Sequence, residues 1–324
     1  MTHVPFWTSV VLSFTFFGTV IANTCSIETP CDSPYQVNKP IATEREYVCE
    51  IGKAYGIKCS KIWTAPKTHY DIFKSSFKTY APQEAPFLIP PKTHRLWLTS
   101  PSDPQEIPPE WLKFFEQSLL LYPEKFFEHH FWCNDKTLIP QTLVALQKFQ
   151  RQVIVHEINE ISEQFVTQNL FQKFLKDNLF SYAADLALQE IVFNQGGLFI
   201  DVAFEQRRNL EIYFKKYEAL HLIWDDHELE SGILGGAQGA KFLKESLSFI
   251  NKIPDLMDTL AATPDPKTLQ GLTAWYAWKL AWALEKEPYT ALGFVYTGKD
   301  FQFHDKESLL NTDPFIKDTY YLEK

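Results

Sequence analysis

The stretch from Tyr182 to Asp201 constrains the fold of this chain more than any other. A long apolar helix, Tyr182 to Asn194, is stopped by Gly196-Gly197, and Leu198-Phe199-Ile200-Asp201 then reads as a buried strand that ends in a carboxylate. The same rhythm precedes it. His94 to Thr99 is a strand after Pro90-Pro91, and Pro108-Pro109 opens a helix that stops by Pro123. Phe126 to Cys133 is a second strand, Ile139 to Phe149 a helix, Val153 to Glu157 a third strand, and Phe171 to Asn178 an apolar-periodic helix. Strands alternating with helices predict an α/β fold, a Rossmann-type mixed, mainly parallel sheet flanked by helices. Ligands of such sheets bind outside the carboxyl ends of the strands. Trp97, Asp135 and Asp201 fall at or near such ends.

The N-terminus follows other rules. Val4 to Ala22 is one uncharged apolar run closing on Val20-Ile21-Ala22, the small-residue pattern of signal-peptidase cleavage. Residues 1–22 therefore read as a secretory signal, with an uncleaved membrane anchor as the alternative. The expected destination is the exterior, a secretory lumen or the periplasm; membrane anchoring and delivery into a host cell are the alternatives. Four of the five cysteines, Cys25, Cys31, Cys49 and Cys59, follow this run in a polar stretch with short strand-like pieces. They predict two disulfides, with three pairings open. Cys133, flanked by Phe131 and Trp132, reads as an inert core thiol. Lys61 to Pro91, rich in Pro, Thr, Lys and aromatics, reads as a connector. Residues 23–86 are thus a cysteine-containing segment and connector, and residues 87–324 the main domain. With 31 Lys and Arg against 40 Asp and Glu, the net charge of −9 disfavours nucleic acid and anionic lipid as main partners.

Four segments carry a resemblance. Ser181 to Ala203, with Asp185, Gly196-Gly197 and Asp201, resembles the diagnostic segment of the DXD-motif sugar transferases, GT-A-type glycosyltransferases that include yeast-type mannosyltransferases and clostridial glucosylating toxins. Pro91-Lys92-Thr93-His94-Arg95-Leu96-Trp97 is similar to that family's first strand, and Phe131-Trp132-Cys133-Asn134-Asp135 to its second. Ser231 to Leu243 is similar to a Gly-rich segment further on. The resemblance implies a GT-A-like catalytic domain that moves a hexose or N-acetylhexosamine from a UDP- or GDP-sugar donor to a glycan or protein acceptor, with retention. It implies Asp185 and Asp201 as catalytic residues, Trp97, Asp135, Asp185, Gly196, Gly197 and Ser231 as donor-binding residues, and Mn²⁺ or Mg²⁺ as cofactor, with Asp201 as its ligand.

The chemistry explains these residue types. A sugar diphosphate is a strong anion, and hard divalent cations that offset its charge take carboxylate oxygens. An indole offers a nucleobase a stacking surface, and a helix carboxylate can orient sugar hydroxyls. Two departures stand against the family pattern: Ala203 occupies the second acidic position and Leu188 the position of the helix arginine. Period two makes Glu205 a further metal-ligand candidate on the face of Asp201 if the strand continues. The acidic run Asp225-Asp226-His227-Glu228 is another, and His304 lies near the family's C-terminal His and Trp region. Ala203 and Leu188 support the alternative of a degenerate relative that binds a nucleotide sugar, glycan or protein without turnover. His129, His130 and His156 receive no role, and the stripe of Trp275, Trp278 and Trp282 reads as core packing.

Overall fold

The computed structural model describes residues 43–76, 85–123, 125–223, 229–254, 266–284, 292–296 and 301–303. Residues 1–22, Cys25, Cys31, the run Asp225-Asp226-His227-Glu228 and His304 lie outside them. The described residues fall within one compact unit, Gln36–Lys324.

The elements run α1 (Glu44–Ala54), α2 (Cys59–Ser76), β1 (Lys92–Trp97), α3 (Pro109–Leu119), β2 (Glu128–Cys133), α4 (Pro140–Leu146), β3 (Ile154–Glu157), α5 (Asn159–Ser162), α6 (Gln168–Lys176) and α7 (Phe180–Gln195). They continue with β4 (Gly197–Ile200), β5 (Phe204–Gln206), α8 (Glu211–Lys216), β6 (Ala219–Ile223), β7 (Leu229–Gly236), α9 (Lys241–Asn251), α10 (Pro266–Leu272), α11 (Trp275–Leu284), β8 (Leu292–Tyr296) and β9 (Phe301–Phe303). Seven strands form one sheet in the order β3-β2-β1-β4-β7-β6-β8, and β5 pairs with β9 apart from it. β1, β2, β3 and β4 are mutually parallel; β7 runs against both β4 and β6, and β6 is parallel to β8. This is the mixed, mainly parallel α/β sheet that the strand and helix rhythm predicts.

Period two divides the strands between two cores. Phe131 and Cys133 of β2 pack with Ile107, Trp111 and Phe115 of the α3 side, while Trp132 and Leu96 belong to the larger core with α6, α7, α9 and α11. The chain steps outward from β1 to β2 to β3, then returns to place β4 on the other flank of β1. The strand order therefore reverses between β1 and β4. A crevice opens at the carboxyl ends of strands at such a reversal, and it is where ligands of open α/β sheets bind.

The cysteine-bearing segment differs from expectation. Residues 44–54 and 59–76 are helices, not strand-like pieces and a connector without periodicity. Thr43 and Glu46 form a reciprocal capping box that starts α1. Ile62, Ala65, His69 and Phe73 recur at helical spacing and are buried with α11, so the apolar stripe outweighs the breaker signal of Pro66 within α2. A disulfide joins Cys49 of α1 to Cys59 of α2. Cys133 is buried, its thiol pushed up to about 12 by burial, as befits an inert core thiol. Trp278 and Trp282 are core residues, each edge-on to the buried His221. Among the described residues no helix is long and apolar enough to cross a membrane.

Candidate functional site

The reversal of strand order brings four of the candidate residues to one edge of the sheet. Trp97 ends β1 and stands in register with Cys133, so Asp135 lies just past the end of β2. Asp201 follows β4, and its amide donates to the Gly232 carbonyl at 2.7 Å, which sets Ser231 of β7 alongside. Ser231 is buried. The loops after β1 and β2 are tied together by Asn134, which accepts the Thr99 amide at 3.1 Å and donates to the Thr99 carbonyl at 2.8 Å.

Side chains at this edge already have protein partners. Half-buried Trp97 donates its indole N–H to the Gln105 carbonyl at 2.7 Å and stands edge-to-face with Trp111, ring centroids 6.0 Å apart. The carboxylate of Asp135 accepts the Thr137 amide and hydroxyl at 2.7 and 2.6 Å, which caps a short 3₁₀ turn and holds its pKa below the usual carboxylate range. Asp201 Oδ1 accepts the Ala203 amide at 2.8 Å, an Asx turn that makes the chain leave the sheet at once.

That turn corrects the reading of Glu205. β4 ends at Ile200, Val202 and Ala203 form a turn, and Glu205 lies on β5, which pairs with β9 and not with the main sheet. Period two cannot be carried from Asp201 to Glu205 across that turn. Among the described residues there is no group of three or more His, Cys, Asp or Glu close enough to hold a metal ion. The side chain at position 203 does not fit the family's metal role either. Ala203 is 5% exposed and belongs to the apolar cluster of Ile107, Trp111, Phe131 and Val202.

Gly196 and Gly197 lie at the opposite, amino-terminal end of β4, and their role is architectural. Gly196 has φ of +64° and Gly197 of +102°, conformations that favour glycine. A Cβ on Gly196 would stand 2.5 Å from Pro90 Cγ, and one on Gly197 would stand 2.7 Å from the Lys92 carbonyl. The pair lets β4 start directly against β1 and places neither residue beside Asp201. His94 completes this junction. Its Nε2 donates to the Gly196 carbonyl at 2.8 Å and its Nδ1 accepts the Trp132 indole N–H at 3.2 Å, so the buried ring is neutral; burial lowers its pKa to about 3.

Asp185 sits in the second turn of α7 and is buried; its Oδ2 accepts the Gln270 amide at 3.0 Å, which links α7 to α10. α7 doubles back through a single residue into β4, and ten residues of helix carry Asp185 about 15 Å from that junction, toward the carboxyl edge of the sheet. Leu188, in the family's arginine position, is core.

Sequence reasoning missed Arg95. This residue is buried on β1, and its Nη1 donates to the Asp201 carbonyl at 2.6 Å and to the Phe204 carbonyl at 3.1 Å. Nη2 donates to Ser118 Oγ on α3 at 2.9 Å. Burial pulls the guanidinium down to about 9, with the Asp201 charge acting in the other direction, and it remains a cation at neutral pH. An arginine two residues before Trp97, in a strand whose middle residues are buried, was the available signal.

No protein-family model matches the chain, and no curated protein matches it. Among solved structures the chain is similar to the PaToxG glycosyltransferase at 13% identity, over 68% of this chain and 77% of that one, with a TM-score of 0.48. It is similar to the ligand-free glycosyltransferase domain of the YGT toxin at 9% identity, over 58% and 68% of the two chains, with a TM-score of 0.41. A third similar structure is a transferase carrying two cysteine-to-serine substitutions, at 12% identity over 69% and 99%, with a TM-score of 0.38. Likeness of this degree transfers no residue roles to this chain.

Proposed function

We propose that this protein is a nucleotide-sugar-dependent glycosyltransferase that moves a hexose or N-acetylhexosamine from a UDP- or GDP-sugar to a glycan or protein acceptor. The observation that carries the reading is the gathering of Trp97, Asp135, Asp201 and Ser231 at the carboxyl edge of the sheet, around the reversal between β1 and β4. Their sequence motifs point to donor recognition, and this edge is where an α/β sheet recognises ligands. In this reading Trp97 meets the nucleobase, Asp201 the sugar or diphosphate end, and Asp185 the sugar hydroxyls. The protein contributes orientation of the donor and a fixed polar environment for the departing diphosphate.

A second reading, a relative that binds the donor without turnover, is favoured by one observation. Both departures from the family pattern, Ala203 and Leu188, are buried in apolar surroundings, so neither position offers a polar group to a ligand.

Thermal shifts with UDP- and GDP-sugars, with and without Mn²⁺ or Mg²⁺, test both. A donor at about a hundred times its Kd adds about 2.7 kcal/mol of stability. No shift with any donor under any condition would sink both readings. A shift without hydrolysis or transfer selects the second. Asp201→Asn, which keeps an oxygen for the Ala203 amide and removes the charge, is expected to abolish the shift.

A further inference from the structure

We infer that Arg95 is the positioning residue of the candidate site, fixing the turn that carries Asp201. A buried guanidinium costs several kcal/mol unless its donors are met. On this face of β1 it lies between the rings and aliphatic chains of the α3 core, 5.1 Å from the Phe115 ring centroid, where an apolar side chain would otherwise fit. What the cation meets are inward-pointing oxygens. The turn directs the carbonyls of Asp201 and Phe204 toward Arg95; the Asp201 carbonyl also accepts the Phe204 amide at 3.0 Å, so the guanidinium adds a second donor to an oxygen that closes the turn. One nitrogen of Arg95 serves both, and the other reaches Ser118. Ser118 in turn donates to the Phe115 carbonyl at 2.6 Å.

Arg95 thus ties together three elements: β1, the segment from the turn after β4 into β5, and α3. Trp97 lies two residues along the same strand, so the clamp sets the Asp201 backbone relative to that ring. It also keeps a positive charge beside Asp201, which offsets the repulsion between that carboxylate and an anionic ligand. The consequence for ligand binding rests on the donor-site reading of Asp201; the clamp itself does not.

Arg95→Gln and Arg95→Lys test the inference, with Ser118→Ala as a variant that leaves the Asp201 contact in place. Amide hydrogen exchange of Ala203, whose N–H is held by Asp201, is measured relative to Leu234 in β7, so that a global loss of stability cancels. Arg95→Gln is expected to speed relative exchange at Ala203 at least tenfold, Arg95→Lys to recover most of the protection, and Ser118→Ala to leave the ratio within threefold of wild type. An unchanged ratio in Arg95→Gln overturns the clamp. Where donor binding is measurable, Arg95→Gln is expected to weaken it at least tenfold and Arg95→Lys to restore it to within threefold; equal weakening in Ser118→Ala and Arg95→Gln overturns the positioning role. A wild-type protein that binds no donor refutes the glycosyltransferase reading, while the exchange ratio still decides the clamp.

Discussion

Replacing Ala203 by aspartate rebuilds the Asp-x-Asp spelling of the resembled family, yet the structure predicts a less stable protein. The Ala203 methyl is 5% exposed, among Ile107, Trp111, Phe131 and Val202. A carboxyl group buried in such a place has its pKa raised by about 3 units, from about 3.9. At about 1.4 kcal/mol per unit, the ionised form costs about 4 kcal/mol at pH 7 and about 1.5 kcal/mol at pH 5. The sign follows from the raised folded pKa: the penalty is absent below the unfolded value and grows as pH rises toward the folded one. Ala203→Asn adds the same volume, itself worth about 1–3 kcal/mol of overpacking, without titrating. Urea unfolding of the two variants at both pH values isolates the charge. Equal stability of the Ala203→Asp and Ala203→Asn variants at pH 7 would refute the apolar placement, as would full recovery of the aspartate variant on adding Mn²⁺ or Mg²⁺.

The buried histidines make a pH prediction. Burial pulls His94 and His221 down to about 3 and His129 and His130 to about 4, so all four are neutral in the folded protein where the unfolded chain would protonate them. Stability from these groups is fully present above the unfolded pKa of about 6.5 and is lost as pH falls below it, with a slope approaching about 5 kcal/mol per pH unit near pH 5. A urea midpoint that stays flat from pH 7 to pH 5 contradicts this. Gly197→Ala, facing the Lys92 carbonyl at 2.7 Å with φ of +102°, is expected to lose about 3 kcal/mol or more; a melting temperature within about 2 °C of wild type, where about 1 kcal/mol moves a domain of this size by about 2–4 °C, contradicts it. Reducing the Cys49–Cys59 disulfide, which spans a sequence separation of 10, is expected to cost about 3 kcal/mol, and an unchanged melting curve in dithiothreitol would show that it adds nothing.

The sequence by itself determined the local elements of the main domain as far as Asp201 and their alternation. The long apolar run of α7, the stop at Gly196-Gly197 and the run to Ile200 specify a helix, a tight reversal and a buried strand, because each depends on neighbours only a few residues away. The carboxylate at the end of β4 was legible for the same reason. The helical stripe of α2 was also present in the sequence, but Pro66 and the polar residues around it masked its period.

Tertiary structure decided which of these residues share a place. Strand order put Trp97, Asp135, Asp201 and Ser231 on one edge and left the two glycines on the other. A tight turn, held by the Ala203 amide on the Asp201 side chain and the Phe204 amide on the Asp201 carbonyl, ended the strand and removed Glu205 from the face that period two assigned to it. The burial of Ala203 and the reach of Arg95 to two carbonyls more than a hundred residues away depend on β1 and β4 lying side by side. Periodicity fixes the direction of a side chain relative to its own strand; only the packing of strands brought together from distant parts of the chain fixes what that side chain meets.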